Sequence, residues 1–141
     1  MNLKNKNILL TGGSLGIGKE TAKYLTDKGA NVLITGRSLE RLKKSASYNN
    51  AKTLVFDISN LKEIKEKAKE CIDIFDGKID VLINNAGTGA YRSLDQINIE
   101  DFQKVFNTNV IGLSLLTKEI AEVMKSKKYG TIINLSLIHI W

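Results

Sequence analysis

At 141 residues the chain has the length of one domain, and 43% hydrophobic with 26% charged residues is an ordinary globular composition, neither disordered nor membrane-spanning. A net charge of +6 raises the question of a nucleic-acid partner, but in the segment Lys62-Glu-Ile-Lys-Glu-Lys-Ala-Lys-Glu70 the signs interleave at helical spacing. That pattern marks a solvated helix face laced with i,i+4 pairs, so no nucleic-acid surface is expected.

In chain order, Met1 to Lys6 runs straight into an apolar segment far shorter than a signal or membrane-spanning stretch, so a cytoplasmic chain without a membrane partner is expected. Asn7 to Leu10 reads as a buried strand, Gly16 to Lys28 as a helix closed by Gly29, and Asn31 to Thr35 as a second strand. Ser38 to Ser47 is expected to be helical, Lys52 to Phe56 a third strand, and Asn60 to Phe75 a long helix. Leu61, Ile64, Ala68, Cys71, Ile72 and Phe75 give that helix one apolar face. Cys71 has no partner for a disulfide or metal site and reads as a bland thiol. Val81 to Asn84 is a fourth strand, Ile99 to Ser126 mostly helix, and Thr131 to Asn134 a fifth strand. Short β-branched strands alternating with helices imply a doubly wound parallel sheet, whose ligands bind beyond the carboxyl ends of the strands.

The residues after the strands therefore carry the functional reading. Thr11-Gly-Gly-Ser-Leu-Gly-Ile-Gly18 opens the first helix, and a turn this rich in glycine lets the backbone approach a pyrophosphate at the helix N-terminus. The stretch from Gly13 to Lys19 also fits the start of a P-loop, but Glu20 stands where that motif needs a Ser or Thr for Mg²⁺. After the second strand, where an NAD site would place a carboxylate, come Gly36 and Arg37. A guanidinium can pair with a 2′-phosphate that a carboxylate would repel, so Arg37 favours NADP, with NAD possible and an ordinary surface Arg the alternative. Asp57 and Ile58 end the third strand. Asn109, in the helix after the fourth strand, marks a bent backbone or a bound water if it faces inward.

Thr11, Gly12, Gly16 and Gly18, spaced Thr-Gly-x-x-x-Gly-x-Gly, resemble the first signature of the short-chain dehydrogenases/reductases, and Asn84-Asn-Ala-Gly87 is similar to their second. The resemblance implies a Rossmann fold and an oxidoreductase that reduces a carbonyl or oxidises an alcohol of a small-molecule substrate by hydride transfer with NAD(P), in a full-length form that is a homo-oligomer. It implies cofactor contacts from Thr11, Gly12, Ser14, Gly16, Ile17, Gly18, Arg37, Asp57, Ile58, Asn85, Ala86 and Gly87. Asn84 is implied to hold the central sheet, and Asn109 to stand as the tetrad Asn that holds a proton-relay water. Asp57 reads equally as an adenine contact or as part of the cap of the helix expected from Asn60. NADP-preferring members often carry a second basic residue in the glycine turn, where this chain has Leu15.

The resemblance runs from about Asn7 to Asn134. The family follows its fifth strand with a Ser-Ser pair and then Tyr-x-x-x-Lys, but here Leu137 follows Ser136 and the chain reaches Trp141 with no further Tyr or Lys. Tyr91 and Tyr129 do not substitute by position. Residues 1–134 are thus expected to be an incomplete, catalytically inactive NAD(P)-binding domain. Leu135-Ser-Leu-Ile-His-Ile-Trp141 corresponds to CTG TCT CTT ATA CAC ATC TGG, the transposon end used in tagmentation libraries, so 135–141 are expected to be non-native and His139 neither ligand nor base. Two other functions stay open: a non-catalytic dinucleotide sensor on the same fold, and, against Glu20, a P-loop nucleotide hydrolase.

Overall fold

The computed structural model describes residues 2–93 and 95–136. Five strands, β1 (Asn7–Thr11), β2 (Asn31–Gly36), β3 (Lys52–Val55), β4 (Val81–Asn84) and β5 (Thr131–Asn134), form one sheet in the order β3-β2-β1-β4-β5. Every pairing is parallel, in register from Asn7↔Asn31 to Thr11↔Thr35 between β1 and β2, and from Ile8↔Val81 to Leu10↔Ile83 between β1 and β4. Parallel neighbours require crossover helices, and these cover both faces of β1, β2 and β4, whereas all four residues of β5 are exposed. Ile8, Leu10, Val32 and Ile34 pack with Ala22, Leu25 and Leu42 on one side, while Leu9, Leu33 and Leu82 pack with Ile64, Ala68, Cys71, Leu116 and Ile120 on the other. Burial pushes the Cys71 thiol up to about 12, which keeps it protonated and inert.

Helix α1 (Gly16–Asp27) stops because Gly29 takes φ +81, letting its N–H reach Thr26 O at 2.8 Å and that of Ala30 reach Leu25 O at 3.1 Å. Those paired bonds satisfy carbonyls the helix end leaves open. Helix α2 (Leu39–Asn49) starts where the Ser38 side chain accepts the Arg41 N–H, and runs two residues past the expected end at Ser47 before Asn50 closes it at φ +54.

Helix α3 (Ile64–Ile74) begins one turn later than Asn60. The intervening residues are taken by two turns, Asn60 N–H to Asp57 O at 3.0 Å and Glu63 N–H to Asn60 O at 3.1 Å, so Asp57 stands six residues before the Glu63 cap. The expected helix from Ile99 to Ser126 is continuous but not uniform: α4 (Ile99–Phe106) and α5 (Leu113–Ser126) flank a π-helical segment, Asn107–Gly112. π-Helical turns are rare and accumulate at functional sites.

The π segment crosses the loop after β3 so closely that a Cβ on Gly112 would overlap Ile58 O and lie 2.7 Å from Asn107 O. Gly112→Ala must therefore push the helix off that loop. Overpacking of this kind costs about 1–3 kcal/mol, and a lowered urea midpoint with an unchanged slope is the expected result.

Candidate functional site

The sheet reverses its winding between β1 and β4, and their carboxyl ends open a cleft of about 330 Å³. Ligands of doubly wound folds bind at such a switch point. The Thr11 side chain bridges the crevice: Oγ1 donates to Ile83 O at 3.3 Å and accepts the N–H groups of Asn85 and Ala86 at 3.0 Å each. Asn85 answers from the other strand, its Nδ2 donating to Thr11 O at 2.9 Å and Gly12 O at 3.1 Å. A Cβ at Gly18 would lie 2.5 Å from Asn85 Nδ2 and collide with Gly12 O, so only glycine lets α1 start this close to the clamp.

A second polar chain holds the glycine turn from the α2 side. Ser45 Oγ donates to Gly13 O at 2.9 Å and accepts Asn49 Nδ2 at 3.0 Å, with both residues buried. Sequence reasoning missed these two: Ser45 is a polar residue inside the expected helix, and Asn49 lies beyond its expected end at Ser47.

Of the residues singled out in the sequence, Gly12, Ser14, Ile17 and Gly18 line one wall, Arg37 the β2 side, Asp57 and Ile58 the β3 side, and Asn85, Ala86 and Gly87 the β4 side. Thr11 and Gly16 are not on the wall; Thr11 is buried beneath it and acts through the clamp. Asp57 Oδ1 accepts both the N–H and the hydroxyl of Ser59, at 2.9 and 2.7 Å. The cleft is also lined by Leu15, Thr35, Gly36, Ser38, Arg41, Phe56, Thr88 and Thr108, which the sequence reading did not assign to the cofactor.

Asn109 does not reach the wall, but both ends of its amide grip a residue that does: Oδ1 accepts the Thr88 N–H at 2.9 Å and Nδ2 donates to Thr88 O at 2.8 Å. Asn84 Nδ2 donates to Thr117 Oγ1 at 2.9 Å and Asn134 Oδ1 at 2.8 Å, joining β4 to α5 and β5. Tyr91 is almost wholly exposed and Tyr129 donates nothing to the cleft, its hydroxyl accepting Lys6 Nζ at 3.0 Å. Two further tyrosines, Tyr24 and Tyr48, do precede a lysine by four residues, Lys28 and Lys52, yet none of the four lines the cleft. Among the described residues the ionisable groups on the wall are Arg37, Arg41 and Asp57, a set that can hold an anion but offers no Tyr, Lys or His to move a proton. Leu137 and His139 lie outside the described residues.

This geometry, a glycine-lined helix start at the switch point of a doubly wound sheet, defines a dinucleotide-binding class. The family model for short chain dehydrogenases matches residues 6–139, and the chain belongs to that family. A 3-oxoacyl-[acyl-carrier-protein] reductase of Vibrio cholerae is 33% identical over 140 residues, 98% of this chain and 57% of the relative. An uncharacterised oxidoreductase of Thermotoga maritima is 35% identical over 141 residues, 96% of this chain and 55% of the relative. A metagenomic short-chain oxidoreductase solved in complex with NADP superposes with a TM-score of 0.89 at 30% identity, covering 96% of this chain and 64% of that one. The chain spans little more than half the length of the curated relatives it matches.

Replacing Asn109 by Ala removes the acceptor of the Thr88 N–H. A net hydrogen bond contributes about 0.5–1.5 kcal/mol, so amide exchange at Thr88 should quicken about two- to tenfold. Hydrogen exchange read by NMR, with Thr35 as an internal control, checks it.

Proposed function

We propose that this chain is the cofactor-holding part, residues 1–134, of an NADP-preferring carbonyl reductase or alcohol dehydrogenase, cytoplasmic and homo-oligomeric when whole, with 135–141 a non-native tail. The observation that carries the reading is the pairing of a glycine-lined helix start with Gly36 and Arg37 where a carboxylate would stand in an NAD site. The residues fit the dinucleotide. Gly12, Ser14, Ile17 and Gly18 would take the pyrophosphate beside the α1 N-terminus, whose open N–H groups and dipole favour an anion. Asp57 and Ile58 would face the adenine, and Asn85, Ala86 and Gly87 the nicotinamide-side ribose, with Thr11 and Gly16 setting the shape of the turn. When bound, the nicotinamide supplies the hydride that moves to or from a small-molecule carbonyl or alcohol.

The chain's own residues bind and orient. Asn109 is a positioning residue, keeping Thr88 and the segment after Gly87 against the cleft. The proton on the substrate oxygen needs a general acid within hydrogen-bond reach, and the described cleft wall has none. The 141-residue chain should therefore show no turnover: absorbance at the NADPH band, followed with a panel of aldehydes and ketones, should stay flat. Oxidation proportional to chain concentration would refute an incomplete active site.

Arg37→Asp turns attraction for a 2′-phosphate into repulsion. Loss of a charged contact costs about 1.5–3 kcal/mol, roughly ten- to a hundredfold in affinity. Tryptophan-independent titration by calorimetry should find NADPH weakened by that factor and NADH unchanged or tightened. Equal effects on both would show Arg37 to be an ordinary surface residue.

A further inference from the structure

We propose that Arg41 is a second phosphate arm of this cleft, so that Arg37 and Arg41 together, and not Arg37 alone, select a nucleotide bearing a 2′-phosphate. The inference rests on the NADP reading and names a residue that reading does not use. Arg41 lines the same cleft as Arg37 and Ser38, although it lies inside α2 rather than in the turn after β2.

Its position is fixed from both sides. Ser38 Oγ accepts the Arg41 N–H at 3.3 Å, which sets Arg41 in the first helical turn, and the next residue, Leu42, is fully buried under the sheet. Arg41 is thus anchored at its backbone while its guanidinium is free to reach the cleft. Among the described residues neither Arg37 nor Arg41 forms an ion pair, whereas Arg92 is held by Asp101 at 3.2 Å. The carboxylate on the cleft wall, Asp57, has Oδ1 turned into its own loop by Ser59.

Charge decides between one arm and two. A phosphate monoester carries about −1.5 to −2 near neutral pH. One guanidinium leaves much of that charge uncompensated, and two balance it. A solvent-facing helix arginine with no ligand would do none of this, and the two cases separate by experiment.

The probes are 2′,5′-ADP, which carries the 2′-phosphate, and 5′-ADP, which does not. Calorimetric dissociation constants are measured for the 141-residue chain and for its Arg37→Ala, Arg41→Ala, Arg41→Lys and double Ala variants, each first checked for an unchanged unfolding midpoint. Arg41→Ala should weaken 2′,5′-ADP about tenfold, the loss of one charged contact, and move 5′-ADP less than twofold. Arg41→Lys should recover part of the loss, since it keeps the charge but not the fork. The double variant should bind the two probes alike. If Arg37→Ala weakens 2′,5′-ADP and Arg41→Ala does not, the second arm is overturned and the NADP reading stands. If the unaltered chain does not distinguish the probes, the NADP reading itself fails. An equal loss for both probes in Arg41→Ala makes Arg41 a structural residue of α2 and also overturns the proposal.

Discussion

The cleft depends on the bonds that tie the ends of β1 and β4 across the switch point. At that place the chain leaves toward opposite faces, and backbone groups that would continue the ladder lose their partners. Thr11 Oγ1 takes two of these N–H groups, from Asn85 and Ala86, and Asn85 Nδ2 takes the carbonyls of Thr11 and Gly12. Leaving a buried donor or acceptor unmade costs about 1–3 kcal/mol each, so the exchange of side chain for backbone on both strands is a strong local constraint. It also explains the glycine at 18: the space a side chain would need is filled by the clamp itself.

On the other side, the chain from Asn49 through Ser45 to Gly13 O attaches α2 to the same turn. It lies inside the protein, where hydrogen bonds are electrostatically stronger than in water. One consequence is mechanical: the middle of α2, at Ser45, is fastened directly to the glycine turn.

What was legible in the sequence is what is local. The four-residue apolar runs, the Gly29 stop and the turn from Thr11 to Gly18 follow from periodicity and backbone preference, and the structure returns them within a residue or two. The start of α3 was not, because Asp57 and Ser59 form a side-chain turn that delays the helix to Ile64. Asn109 gave notice of a departure from α-helix, but not that the departure would be a π segment from Asn107 to Gly112. That depends on Ile58 O approaching from a loop some fifty residues away. Ser45 and Asn49 are similar cases. Their roles come from the Gly13 carbonyl in the turn after β1, which nothing in the local sequence of α2 announces.

Asn109 holds a residue of the cleft wall without lining the cleft itself. With Oδ1 and Nδ2 both bonded to Thr88, its side chain has spent its donor and acceptor on the loop rather than on anything in the cleft. It makes both bonds from within the π segment, where Gly112 lets the helix settle against Ile58 O. The π segment thus touches both the loop after Gly87, at Thr88, and the loop after β3, at Ile58, and links the β4 side of the cleft to its β3 side. Among the described residues, the ionisable groups on the cleft wall are Arg37, Arg41 and Asp57, two cations against one carboxylate.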